Sequence, residues 1–191
     1  CGTSYHAAAV GSVYIAQLAG LTAIPVLAPQ FIAQYVPAVG YEDVGIFVSQ
    51  SGETKDVLNA LEAAEKRGMA CFGLANVVGS TLTKATSFCL PLCCGYEISV
   101  PATKTFTNQV VTFLYLAYRL AGKDTSELLR IPELMEQTIE MVGPQIEAIA
   151  KDINEWNDMY CLGYGATYPI ALEGALKLKE ITYAHCEGML S

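Results

Sequence analysis

The stretch Ser49-Gln50-Ser51-Gly52-Glu53-Thr54 constrains this chain more than any other. It follows a short apolar, β-branched run, Val44 to Val48, which predicts a buried strand. It precedes residues 55–67, where Val57, Leu58, Leu61 and Ala64 recur at helical spacing. The hydroxyls therefore fall in a strand-to-helix turn. The first amide groups of a helix lack internal partners, and the helix dipole favours negative charge there. Ser49, Ser51 and Thr54 add hydroxyl donors, and Gly52 lets a ligand approach the backbone closely. No lysine or arginine lies inside the turn, so an anion held there is held by neutral dipoles. The same residues can serve more simply: Ser51 or Thr54 is a natural helix cap.

A chain of 191 residues has room for one large domain, or one domain and part of another. With 52% hydrophobic and 16% charged residues it can bury a substantial core, and a net charge of −8 argues against a nucleic-acid surface. No apolar run is long enough to span a bilayer and no basic-then-apolar leader is visible, so a soluble protein without a membrane partner is expected. The seven cysteines are odd in number, and Cys71 and Cys89 lie in apolar runs. Reduced, buried thiols in a cytoplasmic protein are the expectation. Cys93-Cys94 fits no zinc spacing, and no metal is expected. An N-terminal cysteine also invites a reading as an autocatalytic nucleophile, but Gly2-Thr3-Ser4-Tyr5 reads as a helix entry.

That helix is predicted to run to about Ala19, with Thr3 or Ser4 as its N-cap. A glycine-and-hydroxyl turn of this kind normally follows a strand, so a fragment beginning just after one is expected. Next come a short strand (Ile24 to Ala28), a helical piece (Pro29 to Tyr35), the strand before the organising turn, and its helix, which Gly68 ends. Met69 to Ala75 predicts a third strand, Ser80 to Ala85 a short helix, and Ser87 to Leu92 a fourth strand. This alternation implies a three-layer α/β/α sandwich around a parallel sheet, with ligands at the carboxyl ends of the strands. A loop over residues 93–102 leads to a long helix from Thr103 to about Ala121. Residues 123–155 read as a helical connector, with Leu134, Ile139, Val142, Ile146, Ile149 and Ile153 at helical spacing and a break at Gly143-Pro144. From 156 the pattern restarts as one strand (Met159 to Leu162) and a helix from Tyr168 or Pro169, repeating the opening unit. The division is thus 1–122, a first domain lacking its first strand; 123–155, a connector; and 156–191, the truncated start of a second, similar domain.

Five motifs occur in order: Cys1-Gly2-Thr3-Ser4-Tyr5-His6-Ala7-Ala8, the Ser49–Thr54 turn, Asn76-Val77-Val78-Gly79-Ser80, Ala102-Thr103-Lys104, and Leu172-Glu173-Gly174-Ala175-Leu176-Lys177-Leu178-Lys179-Glu180. Together they closely resemble the isomerase region of the glutamine–fructose-6-phosphate aminotransferase family, built from two sugar isomerase domains, each a five-stranded parallel sheet between helices. By that resemblance Ser49, Gln50, Ser51 and Thr54 hold a sugar phosphate with Ser4 close by, while Thr3 and the backbone around Val100 meet the sugar hydroxyls. It also implies that Glu180 is the base moving a proton between C1 and C2, supported by Lys177 and Glu173. The spacing agrees, since steps of four and three put positions 173, 177 and 180 on one helix face. A carboxylate beside an ammonium stays ionised, which suits a base. A Glu-Lys-Glu stripe is nevertheless more commonly a solvated face.

The resemblance further implies a sugar-phosphate ligand (fructose 6-phosphate or glucosamine 6-phosphate), no metal or organic cofactor, a glutaminase domain on the same polypeptide, and a homodimer. Pro101 and Ala102 depart from the small residue and serine that the family places before Thr-Lys, which puts one hydroxyl contact in doubt. The family's ring-opening histidine, in a Lys-His-Gly-Pro motif, and its Schiff-base lysine do not occur within these residues. A related phosphosugar isomerase, a fructosamine-phosphate deglycase and a non-catalytic sugar-phosphate sensor are the alternatives. A sensor needs the turn but not the base.

Overall fold

The computed structural model describes residues 2–191. Helix α1 (Thr3–Tyr14) continues through a wider π-helical turn, Ile15–Ala19, and ends at Gly20, whose φ of +66° takes the chain out of the helix. A second short helical piece, α2 (Ala28–Gln30), likewise continues as Phe31–Tyr35. Strand β1 (Val44–Ser49), helix α3 (Lys55–Lys66), strand β2 (Ala70–Ala75), helix α4 (Thr81–Ala85) and strand β3 (Phe88–Pro91) follow. The three strands form a parallel sheet in the order β1-β2-β3, with Val44 opposite Ala70 and Phe72 opposite Phe88.

The layering follows from the strand's period of two. On one face of β2, Cys71 and Ala75 pack with Val57, Leu61 and Ala64 of α3 and Leu82 of α4. On the other face Leu74 packs with Leu92 and Phe113, and with Ala8 of α1. Phe113 belongs to α5 (Lys104–Leu120). Fully buried leucines such as Leu61 and Leu74 each contribute roughly 1.5–3 kcal/mol. The predicted α/β/α sandwich over a parallel sheet is what the chain forms.

Beyond α5 lie a 3₁₀ turn (Ser126–Arg130) and α6 (Ile131–Asp152), which buries none of its residues. Strand β4 (Asp158–Gly163), helix α7 (Thr167–Thr182) and strand β5 (His185–Leu190) complete the chain, β4 and β5 pairing in parallel. Helix α7 packs against both strands and against α1.

Four expectations are corrected. The segment Ile24 to Ala28 forms no ladder: residues 21–27 have no regular secondary structure and are separated from β1 by a cavity of ≈ 440 Å³ lined by Ile24, Pro25 and Val26 on one side and Ile46 to Val48 on the other. Backbone across such a gap cannot reach hydrogen-bond distance, and the first sheet therefore has three strands rather than the four predicted. Helix α1 has Gly2, not Thr3 or Ser4, at its N-cap, with no side-chain cap, because both hydroxyls bond to other helices. Helix α6 runs through Gly143-Pro144 unbroken. Its surface there is open to water, so the carbonyl that loses its partner to proline is solvated. The last unit does not stop after one helix, since Tyr183, at φ +62°, turns the chain back into β5.

Candidate functional site

The organising turn begins where β1 ends. Ser49 is 2% exposed, and its hydroxyl lies 2.8 Å from that of Thr54 and accepts the Gly52 N–H at 3.0 Å. The Ser51 hydroxyl accepts the Glu53 N–H at 3.1 Å. Gly52 sits at φ +69°, and a Cβ there would lie 2.0 Å from Ser80 Oγ, so both the turn and its packing demand glycine. The neighbouring backbone is pinned as well: Asn76 N–H donates to Gln50 O at 3.0 Å and Leu82 N–H to Gly52 O at 3.0 Å. Glu53 accepts from Thr81 N–H at 2.8 Å and Thr81 Oγ1 at 2.7 Å, and these bonds hold its carboxyl below the usual glutamate range.

Helix α3 starts at Lys55 with Thr54 at the N-cap and no side-chain cap. The Thr54 hydroxyl is turned toward Ser49 rather than back over the helix. The capping role open to Ser51 or Thr54 is therefore not the one adopted, and the first-turn amides of α3 have no side-chain partner.

The second cluster joins α1 to α7. Thr3 Oγ1 donates to Glu173 Oε1 at 2.9 Å, and Lys177 Nζ donates to Thr3 Oγ1 at 3.2 Å. Lys177 Nζ also lies 2.5 Å from Glu180 Oε2 and 3.4 Å from Glu173 Oε1. Glu173 Oε2 lies 2.7 Å from His6 Nδ1. Glu173 is only 4% exposed. Burial alone would raise its carboxyl, but the hydrogen bonds from His6 and Thr3 and the Lys177 charge outweigh it, so Glu173 sits below the usual range.

The two carboxylates thus differ. Both oxygens of Glu173 are engaged, whereas Glu180 has Lys177 beside it and keeps 29% of its side chain open. Of the pair, Glu180 is the more open to solvent. The three helix positions meet as the spacing predicts, but on a partly buried face.

Ser4, one residue on from Thr3, accepts a hydrogen bond from Gln109 Nε2 of α5 at 3.1 Å. Gln50 is held through its backbone carbonyl. Val100 is 88% exposed on the loop between β3 and α5. That loop is tied down by Asn76 Nδ2 to Gly95 O at 2.7 Å, Lys104 Nζ to Tyr96 O at 2.6 Å, and Glu97 Oε2 accepting from Thr105 N–H at 3.1 Å. No hydrogen bond among the described residues joins Val100 to either cluster. His6 and Gln109 carried no assigned role in the sequence. A signal for His6 existed, since it stands three positions after Thr3 on the same helix face. Gln109 offered only a polar residue in an apolar helix. Among the described residues no group of three or more His, Cys, Asp or Glu is placed to hold a metal ion, and no helix is long and apolar enough to cross a membrane.

The SIS domain profile matches residues 1–119. The chain belongs to the SIS domain family. This SIS chain is similar to the isomerizing glutamine–fructose-6-phosphate aminotransferase of Aquifex aeolicus, at 43% identity over 98% of the chain and 32% of the relative. Similarity to the enzyme of the same name from Pyrobaculum aerophilum is 42%, over 97% of the chain and 32% of the relative. The SIS chain thus spans about a third of the length of the curated relatives it matches. In structure it resembles the C-terminal domain of glucosamine-fructose-6-phosphate aminotransferase from Francisella tularensis, with a TM-score of 0.87 and 29% identity over 100% of this chain and 56% of that one. Glucosamine-6-phosphate deaminase from Thermotoga maritima gives 0.88 and 25% identity over 100% and 59%.

Proposed function

We propose that this SIS chain is the phosphosugar-binding part of a glutamine–fructose-6-phosphate aminotransferase, whose full polypeptide makes glucosamine 6-phosphate from fructose 6-phosphate and the ammonia of glutamine. The observation that carries this reading is the cluster of Glu180, Lys177 and Glu173 on α7, tied through Thr3 to α1. A sensor needs the anion turn but has no use for a partly exposed carboxylate beside an ammonium.

In this reading the phosphate rests on the Ser49–Thr54 turn, with Gln50 and Ser4 beside it, and Thr3 and the backbone at Val100 approach the sugar. The hydroxyls and the unpartnered first-turn amides of α3 support it, since both offer donors to an anion without a positive side chain. Glu180 takes the proton from C1 or C2 of the opened sugar and returns it to the other carbon, with the Lys177 ammonium beside its carboxylate. Residues 1–122 form the first sugar isomerase domain, 123–155 connect, and 156–191 begin a second. The free edge of β1 beside the 440 Å³ cavity supports a further strand in the first domain. A glutaminase domain on the same polypeptide, a second copy as dimer partner, and a cytoplasmic location complete the reading. Exposed Leu134, Ile139, Ile146 and Ile149 on α6 are consistent with cover by a partner.

Replacing Glu180 by glutamine in the full-length polypeptide tests this. It keeps the shape and removes the base, so kcat should fall by about 10²–10⁴-fold while KM changes little. Near-normal synthesis of glucosamine 6-phosphate would overturn it. The likeness to the Thermotoga deaminase favours a second reading, removal of nitrogen from an amino-sugar phosphate. Release of ammonia from glucosamine 6-phosphate, with no synthesis from glutamine, would favour that one.

A further inference from the structure

We propose that Gln109 is a positioning residue of the phosphosugar site, its buried amide holding the Ser4 hydroxyl as a donor for a phosphate oxygen. Gln109 is 1% exposed on α5. Its Nε2 donates to Ser4 Oγ at 3.1 Å, linking α5 to the first turn of α1 across 105 positions. Its Oε1 is the single buried side-chain nitrogen or oxygen among the described residues that has no hydrogen-bond partner.

These two facts explain each other. A serine hydroxyl has one hydrogen and two lone pairs. With Nε2 donating to a lone pair, the Ser4 hydrogen is free to point away from Gln109. Turning the amide over would let Oε1 accept that hydrogen, but it would leave the Nε2 hydrogens without an acceptor in the buried position and would consume the only donor Ser4 has. The observed sense leaves a carbonyl unpaired and leaves Ser4 able to donate. With Ser4 Oγ as the one partner in reach, the amide keeps the sense that leaves a single carbonyl unpaired, and that sense fixes the Ser4 hydroxyl as a donor. Ser4 lies next to Thr3, which bonds Glu173. A donor fixed there serves an anion that reaches between the turn and α1.

This inference rests on the phosphosugar reading above. Its test is titration calorimetry of fructose 6-phosphate and of inorganic phosphate into the full-length polypeptide, with thermal melting of each variant. Ser4→Ala should weaken both ligands by about tenfold, the scale of a hydrogen bond to a charged group. Gln109→Met, which keeps length and removes polarity, should leave the melting temperature unchanged or raised yet weaken both ligands by about fivefold. The double variant should bind no more weakly than Ser4→Ala alone, since without the hydroxyl there is nothing to position. Unchanged affinity in Gln109→Met, or losses that multiply in the double variant, would overturn the proposal. Should Gln109→Met fail to fold, Gln109→Glu offers only acceptors and turns the Ser4 hydrogen inward. It should bind at least as weakly as Ser4→Ala, and tighter binding than that would overturn the proposal. Normal binding by both Ser51→Ala and Ser4→Ala would instead sink the phosphosugar reading itself.

Discussion

Thr3 Oγ1 donates to Glu173 Oε1 at 2.9 Å, joining the first turn of α1 to α7 across 170 positions of sequence. The same oxygen accepts from Lys177 Nζ at 3.2 Å, so one hydroxyl connects the carboxylate and the ammonium. Thr3→Val keeps the shape and removes this link, leaving Glu173 one donor short in a nearly dry site. We expect a loss of about 1–3 kcal/mol in urea unfolding at neutral pH, the cost of an unmet partner for a buried charged group. Thr3→Ser should recover most of it. A valine variant as stable as the parent would show that the link is dispensable.

The acid limb of stability should report on Glu173. Its carboxyl is held below the ordinary value of 4.5, because the bonds from His6 and Thr3 and the Lys177 charge outweigh burial, which acts the other way. A carboxyl depressed in the folded state contributes stability that is fully present above the unfolded value and is lost as pH falls through the folded one. Stability should therefore decline below about pH 4.5 with a component that Glu173→Gln removes. Unfolding titrations of both proteins from neutral to acid pH will show whether their curves converge in acid, as expected. A constant gap between them would assign the acid sensitivity elsewhere.

The turn and the helix face were both legible in the sequence because each is local. Hydroxyls at a strand-helix junction, and charged residues at steps of four and three, fix what those short segments can present. The layers were legible for the same reason, since the alternation of strands and helices shows in the hydrophobic period. What was not legible depends on neighbours remote in sequence. Thr3 and Ser4 look like caps until Glu173 and Gln109 are brought against them. Ile24 to Ala28 has strand composition, but a ladder needs a partner within reach, and β1 lies across a cavity. Pro144 reads as a breaker, yet a helix open to water tolerates it. The burial of Glu173, which separates its part from that of Glu180, comes wholly from tertiary packing.

The thiols should differ sharply in reactivity. The six described cysteines are free, and Cys93 is exposed, whereas Cys71 and Cys186 are buried. Burial, with Glu65 nearby, pushes the Cys71 thiol up to about 11, and burial followed by the neighbouring Cys161 raises Cys186. Since the thiolate is the nucleophile, both buried thiols should be slow. Among the six described cysteines, iodoacetamide on the native protein at neutral pH should label Cys93 first and Cys71 and Cys186 last, as read by peptide mass mapping. Early labelling of Cys71 would mean that its strand opens readily.

Helix α7 is held at its correct height by two glycines on the strands beneath it. A Cβ on Gly188 of β5 would lie 2.7 Å from Leu172 Cα and 2.8 Å from Leu172 N, and one on Gly163 of β4 would lie 2.4 Å from Thr167 O. These neighbours are backbone, so no side-chain rotation relieves the clash and the helix itself must move. Leu172 directly precedes Glu173, whose bonds to Thr3 and His6 span only 2.9 and 2.7 Å. Gly188→Ala should therefore cost about 1–3 kcal/mol as overpacking, and should also loosen the contact between α7 and α1. The two effects are separable. If the full-length polypeptide has the proposed synthase activity, Gly188→Ala should lower its kcat more than stability alone accounts for at a temperature where the variant is fully folded. Gly174→Ala on the same helix, where an added Cβ meets nothing within 4 Å, should leave both unchanged. If Gly188→Ala is destabilised but turns over normally when folded, the height of α7 does not govern the carboxylate cluster.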